Sequence, residues 1–451
     1  MKTDLLAEMR NGTPLSLKKQ IHLIVQLSIP AILAQLSYIM MSYIDTSMVG
    51  QLATEDSAAI GLVSSSTWLI GGLSFAAAMG FTVQLSQLIG SGKEKEARNL
   101  LKISMIFVLA FSLIIALATS IISPYLPHWL GGDETVSKKA FVYFFIFAIS
   151  FPIIQLNDLA AGMLQAAGEM KIPAIMQVVM AILNVILNYV LIFRMELGVT
   201  GAALGTLIAR FVTATLLILH LLFKSKSLSL RKNERLSYSP EYLRKAVKIG
   251  LPVAFEQLVM SSGQVAFTKI VAPLGNVALS ANSFAITAES LCYMPAHGLG
   301  AAASTLTGQS FGAGRLDLTK RLSWLTTLLG IILMIVTGVM LFVFSHEMIS
   351  FLSPNPAIQE LGSKILKIEA FSEPFFGASL VASGALRGIG DTFIPSLYKF
   401  GAMWFVRIPL AIILASPFGL EGIWFAMSFE LFVRGSLFLL RLWQVGKKLG
   451  R

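Results

Sequence analysis

Residues 23–50 read LIVQLSIPAILAQLSYIMMSYIDTSMVG. The stretch is apolar over most of its length and ends with a carboxylate, Asp45, near its far end. A helix of about 20 apolar residues crosses a bilayer. A charged side chain inside such a helix costs about 2.5–3.5 kcal/mol. The stretch therefore reads as a membrane span, and Asp45 as a residue whose cost something offsets.

The rest of the chain follows the same pattern. Of 451 residues, 55% are hydrophobic and 13% charged, with a mean hydropathy of +0.75. Soluble domains carry about 25% charged residues, so the composition is that of a polytopic all-α membrane protein. Twelve spans are expected, at 22–50, 57–89, 101–123, 140–167, 171–194, 199–223, 243–272, 277–311, 322–352, 358–386, 392–415 and 420–443. The N-terminus is polar and the first apolar run is too long for a signal h-region, so no cleavable signal is expected. One long polar connection, KSKSLSLRKNERLSYSPEYLRK (224–245), divides six spans from six. The expected domains are 1–223, a linker at 224–242, and 243–451.

The net charge of +11 is explained by topology. Lys138, Lys139, Arg194, Lys364 and Lys367 fall on one side of the membrane, and Arg210, Lys269, Lys399, Arg407 and Arg434 fall inside spans. The remaining Lys and Arg all lie on the opposite side, with both termini and the linker, and the positive-inside rule makes that side cytoplasmic. This distribution is not a nucleic-acid footprint. A single cysteine, Cys292, excludes a disulfide framework or a cysteine metal site within the chain, and the five histidines have no ligand spacing. His297 and Cys292, in the eighth span, read as hydrogen-bonded bundle residues.

The two halves repeat. An offset of 222 carries Pro30 onto Pro252, Gln35 onto Gln257, Thr46 onto Thr268, Gln87, Gly90 and Gly92 onto Gln309, Gly312 and Gly314, and Gly168 onto Gly390. At 221 it carries Gly198 and Gly201 onto Gly419 and Gly422. An even number of spans per unit makes these parallel repeats, which place a substrate between them. The glycines in QLIGSGKEKEAR (87–98) and GQSFGAGRLDLTKR (308–321) read as helix C-caps. Neither segment has the ending of a P-loop.

Depth brings four polar residues together. Asp45, Asn188 and Thr206 each lie about six residues from the outer end of their spans, roughly 9 Å at the helical rise. Asn184 is one turn deeper than Asn188 on the same face. A carboxylate, two amides and a hydroxyl at one depth could form an oxygen cage for Na⁺ (Asp45, Asn184, Asn188, Thr206), or could support a proton acceptor. Gln35, Tyr38 and Met41 share a helix face with Asp45 and are candidate contacts for an organic cation. In the second half Phe267 stands where Asp45 stands in the first. Glu256, near mid-bilayer, is a further candidate substrate residue, ahead of Glu289 and Glu430. Glu369 and Glu373 lie nearer the outer end of the tenth span. Intramembrane charges usually pair. Lys269, Lys399, Arg407 and Arg434 are available to these acids, and Arg210 to Asp158.

The repeat, the D-x-x-x-V-G ending at Asp45–Gly50, GALRGIGDT at 384–392, the long linker and N-x-x-x-N-Y in the fifth span together resemble the multidrug and toxic compound extrusion (MATE) family. The resemblance implies two six-helix lobes, N and C, forming a V and rocking between inward- and outward-open states. It implies exchange of H⁺ or Na⁺ for small organic cations, with Asp45 as the coupling residue and no other cofactor. Some members place a second carboxylate where this chain has Asn188. A monomer in contact with lipid, in a bacterial inner membrane, is expected. The competing reading is a lipid-linked oligosaccharide flippase. That protein needs several cavity arginines for pyrophosphate, and here the intramembrane cations are few and offset by seven acidic residues. No HExxH or G-x-S-x-G marks an intramembrane enzyme, and no filter-like re-entrant stretch marks a channel.

Overall fold

The computed structural model describes residues 5–52, 54–231, 234 and 237–450. Regular structure among them is helical throughout. The first half comprises α1 (Leu5–Arg10), α2 (Leu17–Gly50), α3 (Thr54–Gly90), α4 (Glu94–Ile122), α5 (Leu126–Trp129), α6 (Glu134–Ala166), α7 (Lys171–Asn188) with a π-helical turn at Tyr189–Arg194, and α8 (Gly198–Phe223). The second comprises α9 (Pro240–Val271), α10 (Asn276–Gly312), α11 (Leu316–Val343), α12 (Ser345–Leu352), α13 (Pro356–Ala370), α14 (Glu373–Gly388), α15 (Phe393–Gly401), a second π-helical turn at Ala402–Arg407, and α16 (Ile408–Leu449).

Among the described residues eight helical segments are long and apolar enough to cross a membrane. The last of them, Phe393–Leu449, holds two crossings, because Gly419 breaks the helix with φ 56° and ψ −136°. α9, α10 and the broken α13–α14 complete twelve. These are the spans that carry Glu256, Glu289, Glu369 and Glu373, and that polarity lowers their hydropathy.

The sequence repeat is written into the backbone. Gly92 and Gly314 have φ of 73° and 70°, Gly168 and Gly390 have 90° and 86°, and Gly198 and Gly419 have 51° and 56°. Each pair matches at the repeat offset and adopts the left-handed conformation that glycine allows without strain. Packing repeats as well. A Cβ on Gly162 of α6 would lie 2.8 Å from Thr82 of α3, and one on its counterpart Gly384 of α14 would strike the Gly300 backbone of α10. Lipid supplies little hydrophobic drive for helix association, so close approach at small residues does that work.

The chain divides into two compact units, Leu36–Ala254 and Met1–Gln35 with Phe255–Arg451. Each division falls shortly after a repeat-related proline, Pro30 in α2 or Pro252 in α9. Proline removes a helical hydrogen bond and weakens the helix there. Glycine contacts hold each half-helix in its unit. In the first unit a Cβ on Gly250 would lie 2.8 Å from the Ala76 carbonyl oxygen, and one on Gly80 would strike the Ala246 carbonyl. In the second, a Cβ on Gly298 would lie 2.6 Å from the Ile32 nitrogen.

The linker is laced to the first unit. Arg98 of α4 donates to both carboxylate oxygens of Glu234, the shortest contact being 2.6 Å, and to the Ser227 carbonyl at 3.2 Å. Asn99 and Ser237 exchange two hydrogen bonds.

Candidate functional site

Asp45 lies on the C-terminal half of α2, within the unit Leu36–Ala254. The four residues matched by depth do converge. Asn188 Nδ2 donates to Asp45 Oδ1 at 2.8 Å. The Asn184 carboxamide lies between Asp45 and Thr206 and can present either end to each. With its nitrogen toward Asp45, it donates to Oδ1 at 2.6 Å and Oδ2 at 3.3 Å, and its oxygen accepts from Thr206 Oγ1 at 3.1 Å. Turned over, its nitrogen donates to Thr206 Oγ1 at 3.1 Å, and the Thr206 hydroxyl donates to the Ala202 carbonyl at 3.1 Å.

Two glycines of α8 make this approach possible. A Cβ on Gly201 would lie 2.8 Å from the Leu191 carbonyl, and one on Gly205 would strike Asn188 Oδ1 and lie 3.1 Å from its Cγ. The Asn188 amide thus fills the space that a side chain at 205 would need. That contact holds its oxygen toward α8 and its nitrogen toward Asp45. The π-helical turn begins immediately afterwards, at Tyr189, in the manner of π-bulges at functional positions. The G-x-x-x-G spacing of 201–205, not singled out from the sequence, is the kind of signal that marks such a close contact.

Further polar residues approach the same region. Asp158 of α6 accepts from Ser74 Oγ at 3.2 Å, and Gln155 donates to the Ser74 carbonyl at 3.0 Å. Arg210 of α8 acts electrostatically on both Asp45 and Asp158. Tyr38 and Tyr143 are close enough to feel the same charges. Arg210 and Asp158 are not in direct ion-pair contact, so Arg210 is shared rather than paired. Met41 is 5% exposed and packs with Met180 and Ala209, with Tyr38 against them. Its place is in the packing between α2, α7 and α8. Gln35 ends the α2 segment of the other unit.

The second half is wired differently. Glu256 is buried and takes Lys399 Nζ at 2.5 Å, Arg387 at 2.8 Å and Ser396 Oγ at 3.4 Å. Its carboxylate is thus engaged by two cations. Arg387 lies one residue past the expected end of the tenth span at 386, whereas α14 runs on through Gly388. Glu430 takes two bonds from Arg407, at 3.0 and 2.6 Å, and lies 3.3 Å from Arg434 Nε. Glu369 accepts from Ser372 at 3.1 Å and Ser428 at 2.8 Å. Phe267, the counterpart of Asp45, is fully buried among Val271, Ala281 and Ile408, and the Arg407 guanidinium lies 5.7 Å from its ring centre.

Twelve crossings in two sequence-related halves, with an amide-bound carboxylate inside one of them, define a multi-pass membrane transporter of the internal-repeat type. The MatE family model matches the chain twice, at residues 30–190 and 252–413, so the two matches begin one repeat offset apart. The chain belongs to the MATE family of transporters. It is 30% identical over 433 residues to the probable multidrug resistance protein NorM of Thermotoga maritima, covering 92% of this chain and 91% of that one. It is 28% identical to the uncharacterized transporter YisQ of Bacillus subtilis, covering 90% of each. A MATE crystal structure in the straight conformation superposes with a TM-score of 0.92 over the full length of both chains at 20% identity, a likeness of fold.

Proposed function

We propose that the protein is a multidrug efflux antiporter that exchanges protons for small organic cations, with Asp45 as the coupling carboxylate. The names of its curated relatives support efflux of drugs. The proton reading rests on one observation: by a half-turn of its carboxamide, Asn184 can serve either protonation state of Asp45. When Asp45 is ionised, Asn184 donates to it and accepts from Thr206. When Asp45 is protonated, its hydroxyl donates to the Asn184 oxygen at 2.6 Å, the Asn184 nitrogen donates to Thr206, and Thr206 donates to Ala202. The Asp45–Asn184–Thr206 chain keeps its hydrogen bonds in both states, so a change in the charge of Asp45 strands no further group of that chain.

Na⁺ fits the same residues poorly. A hard cation needs several oxygen lone pairs directed at one point. Asn188 presents nitrogen to Asp45, and Gly205 leaves its oxygen no path inward.

Alternating exposure of Asp45 to the two sides couples its proton to the cargo. Loading on the outer side follows from the depth of the site and from cytoplasmic termini, in a bacterial inner membrane. The test is efflux of a cationic dye from proteoliposomes under separately imposed pH and Na⁺ gradients, with wild type and Asp45→Asn. A pH gradient should drive wild-type efflux and leave the variant at the level of empty liposomes. Efflux driven by Na⁺ alone, or a fully active variant, defeats the reading.

A further inference from the structure

Arg210 is the residue of the Asp45 region that has no part so far. A guanidinium inside a membrane span is expensive and is normally locked to a partner. Among the described residues Arg210 makes no direct ion pair, and its backbone carbonyl accepts from Thr213 Oγ1 at 3.2 Å. Its place is nevertheless defined by its neighbours. Thr206, one turn earlier on α8, meets Asn184. Ala209 packs against Met41 and Met180 beneath Tyr38. Thr213, one turn later, donates to Asn157 at 3.3 Å, and Asp158 is the next residue of α6. Arg210 therefore stands between the α2 wall with Asp45 and the α6 wall with Asp158.

The charged and titratable groups around it are few. α2 contributes Tyr38 and Asp45, α6 contributes Tyr143 and Asp158, and α7 and α3 contribute the neutral Asn184, Asn188 and Ser74. With both aspartates ionised the cluster carries one net negative charge. Without the guanidinium it carries two, and the second carboxylate with the Asn184 and Thr206 oxygens supplies the lone pairs for a monovalent metal ion that Asp45 and Asn188 by themselves do not. Arg210 already supplies the cation. An entering Na⁺ meets a fixed positive charge at short range, whereas a proton becomes part of a single O–H bond and needs no coordination shell.

We propose that Arg210 is the specificity-determining residue of this half-site: its fixed charge between Asp45 and Asp158 keeps monovalent metal cations out and leaves the site to protons. The inference rests on the proton reading above. Removing one unit charge several ångströms away, at the effective dielectric of a protein interior, strengthens cation binding by about 10- to 100-fold.

The experiment compares wild type, Arg210→Gln, Arg210→Lys and the double variant Arg210→Gln/Asp158→Asn. Two readouts are used: thermal stabilisation of purified protein by NaCl against choline chloride, and ethidium efflux from proteoliposomes driven by a Na⁺ gradient. Arg210→Gln should gain a Na⁺ response in both, at concentrations at least tenfold below any effect on wild type. Arg210→Lys, which keeps the charge, should not gain it, and Asp158→Asn should abolish it. Arg210→Met takes the place of the glutamine variant if that one does not fold, with the same expectation. A folded, uncharged variant that ignores Na⁺ while wild type remains driven by protons overturns the role of Arg210 and leaves the proton reading standing. A Na⁺-driven wild type overturns both.

Discussion

The two halves share a scaffold and differ in how they treat buried charge. In the first, Asp45 is held by neutral amides and shares the Arg210 guanidinium with Asp158. In the second, the same repeat position is Phe267, buried in an apolar cluster, and two acids at other positions, Glu256 and Glu430, are held by cations. A carboxylate held by neutral donors can change its charge at small cost. One held by two cations cannot, because losing its charge leaves the cations uncompensated in low dielectric. The repeat preserves helix packing and leaves each half free to spend its polar residues differently.

The strongest way to break this comparison is to neutralise one acid from each half. Asp45→Asn should eliminate gradient-driven efflux while shifting the melting temperature little. Glu430→Gln should do the opposite, costing about 3–5 kcal/mol of stability by stranding Arg407 while the folded fraction still transports. Thermal unfolding and efflux measured on the same preparations decide it. If Glu430→Gln is stable and uncoupled, the second half is a coupling site too and the contrast collapses.

A double replacement sharpens the same point. Arg407→Leu with Glu430→Leu should recover part of the stability lost by the single change, since an apolar pair often replaces a buried ion pair without loss, while Arg434 still lacks its acid. Melting temperatures of the single and double variants provide the check.

A smaller effect is expected at Gly205. Alanine there collides with the Asn188 amide and should turn its nitrogen from Asp45. Stability should fall by about 1–3 kcal/mol, as for other overpacked sites. Proton-driven efflux should fall more than binding of the cationic dye, which separates lost coupling from general damage.

The smallest effect concerns the linker. The hydrogen bond from Arg98 holds the Glu234 carboxyl below the usual glutamate range. A depressed folded value means that its contribution is complete above the unfolded value of about 4.3 and is lost as pH falls through the folded one. The strap should therefore be intact at neutral pH and loosen only in stronger acid, whereas Glu234→Gln should loosen it at every pH. Hydrogen exchange of the backbone at 225–231 reports on it. Unchanged exchange in the variant would mean that the Asn99–Ser237 bonds suffice.

Much of this architecture was legible in the chain. Apolar run length alone placed twelve spans, because lipid forces every backbone group to be satisfied within the helix. The offset of 222 announced the repeat, and two of the glycine pairs it made, Gly92/Gly314 and Gly168/Gly390, share a positive φ. Helical rise placed Asp45, Asn184, Asn188 and Thr206 at one depth, and they meet. Position along a helix is a one-dimensional quantity, and sequence carries it.

Tertiary structure decided which end of each amide faces Asp45, that Met41 packs rather than lines, that Arg210 is shared between two aspartates, and that Arg387 reaches Glu256. It also decided that α2 and α9 each divide just after a proline between two compact units. These facts depend on rotation about helix axes and on close contacts at Gly201, Gly205, Gly250 and Gly298. A difference of one methyl group there admits or excludes a neighbour, and only the packed molecule shows which neighbour it is.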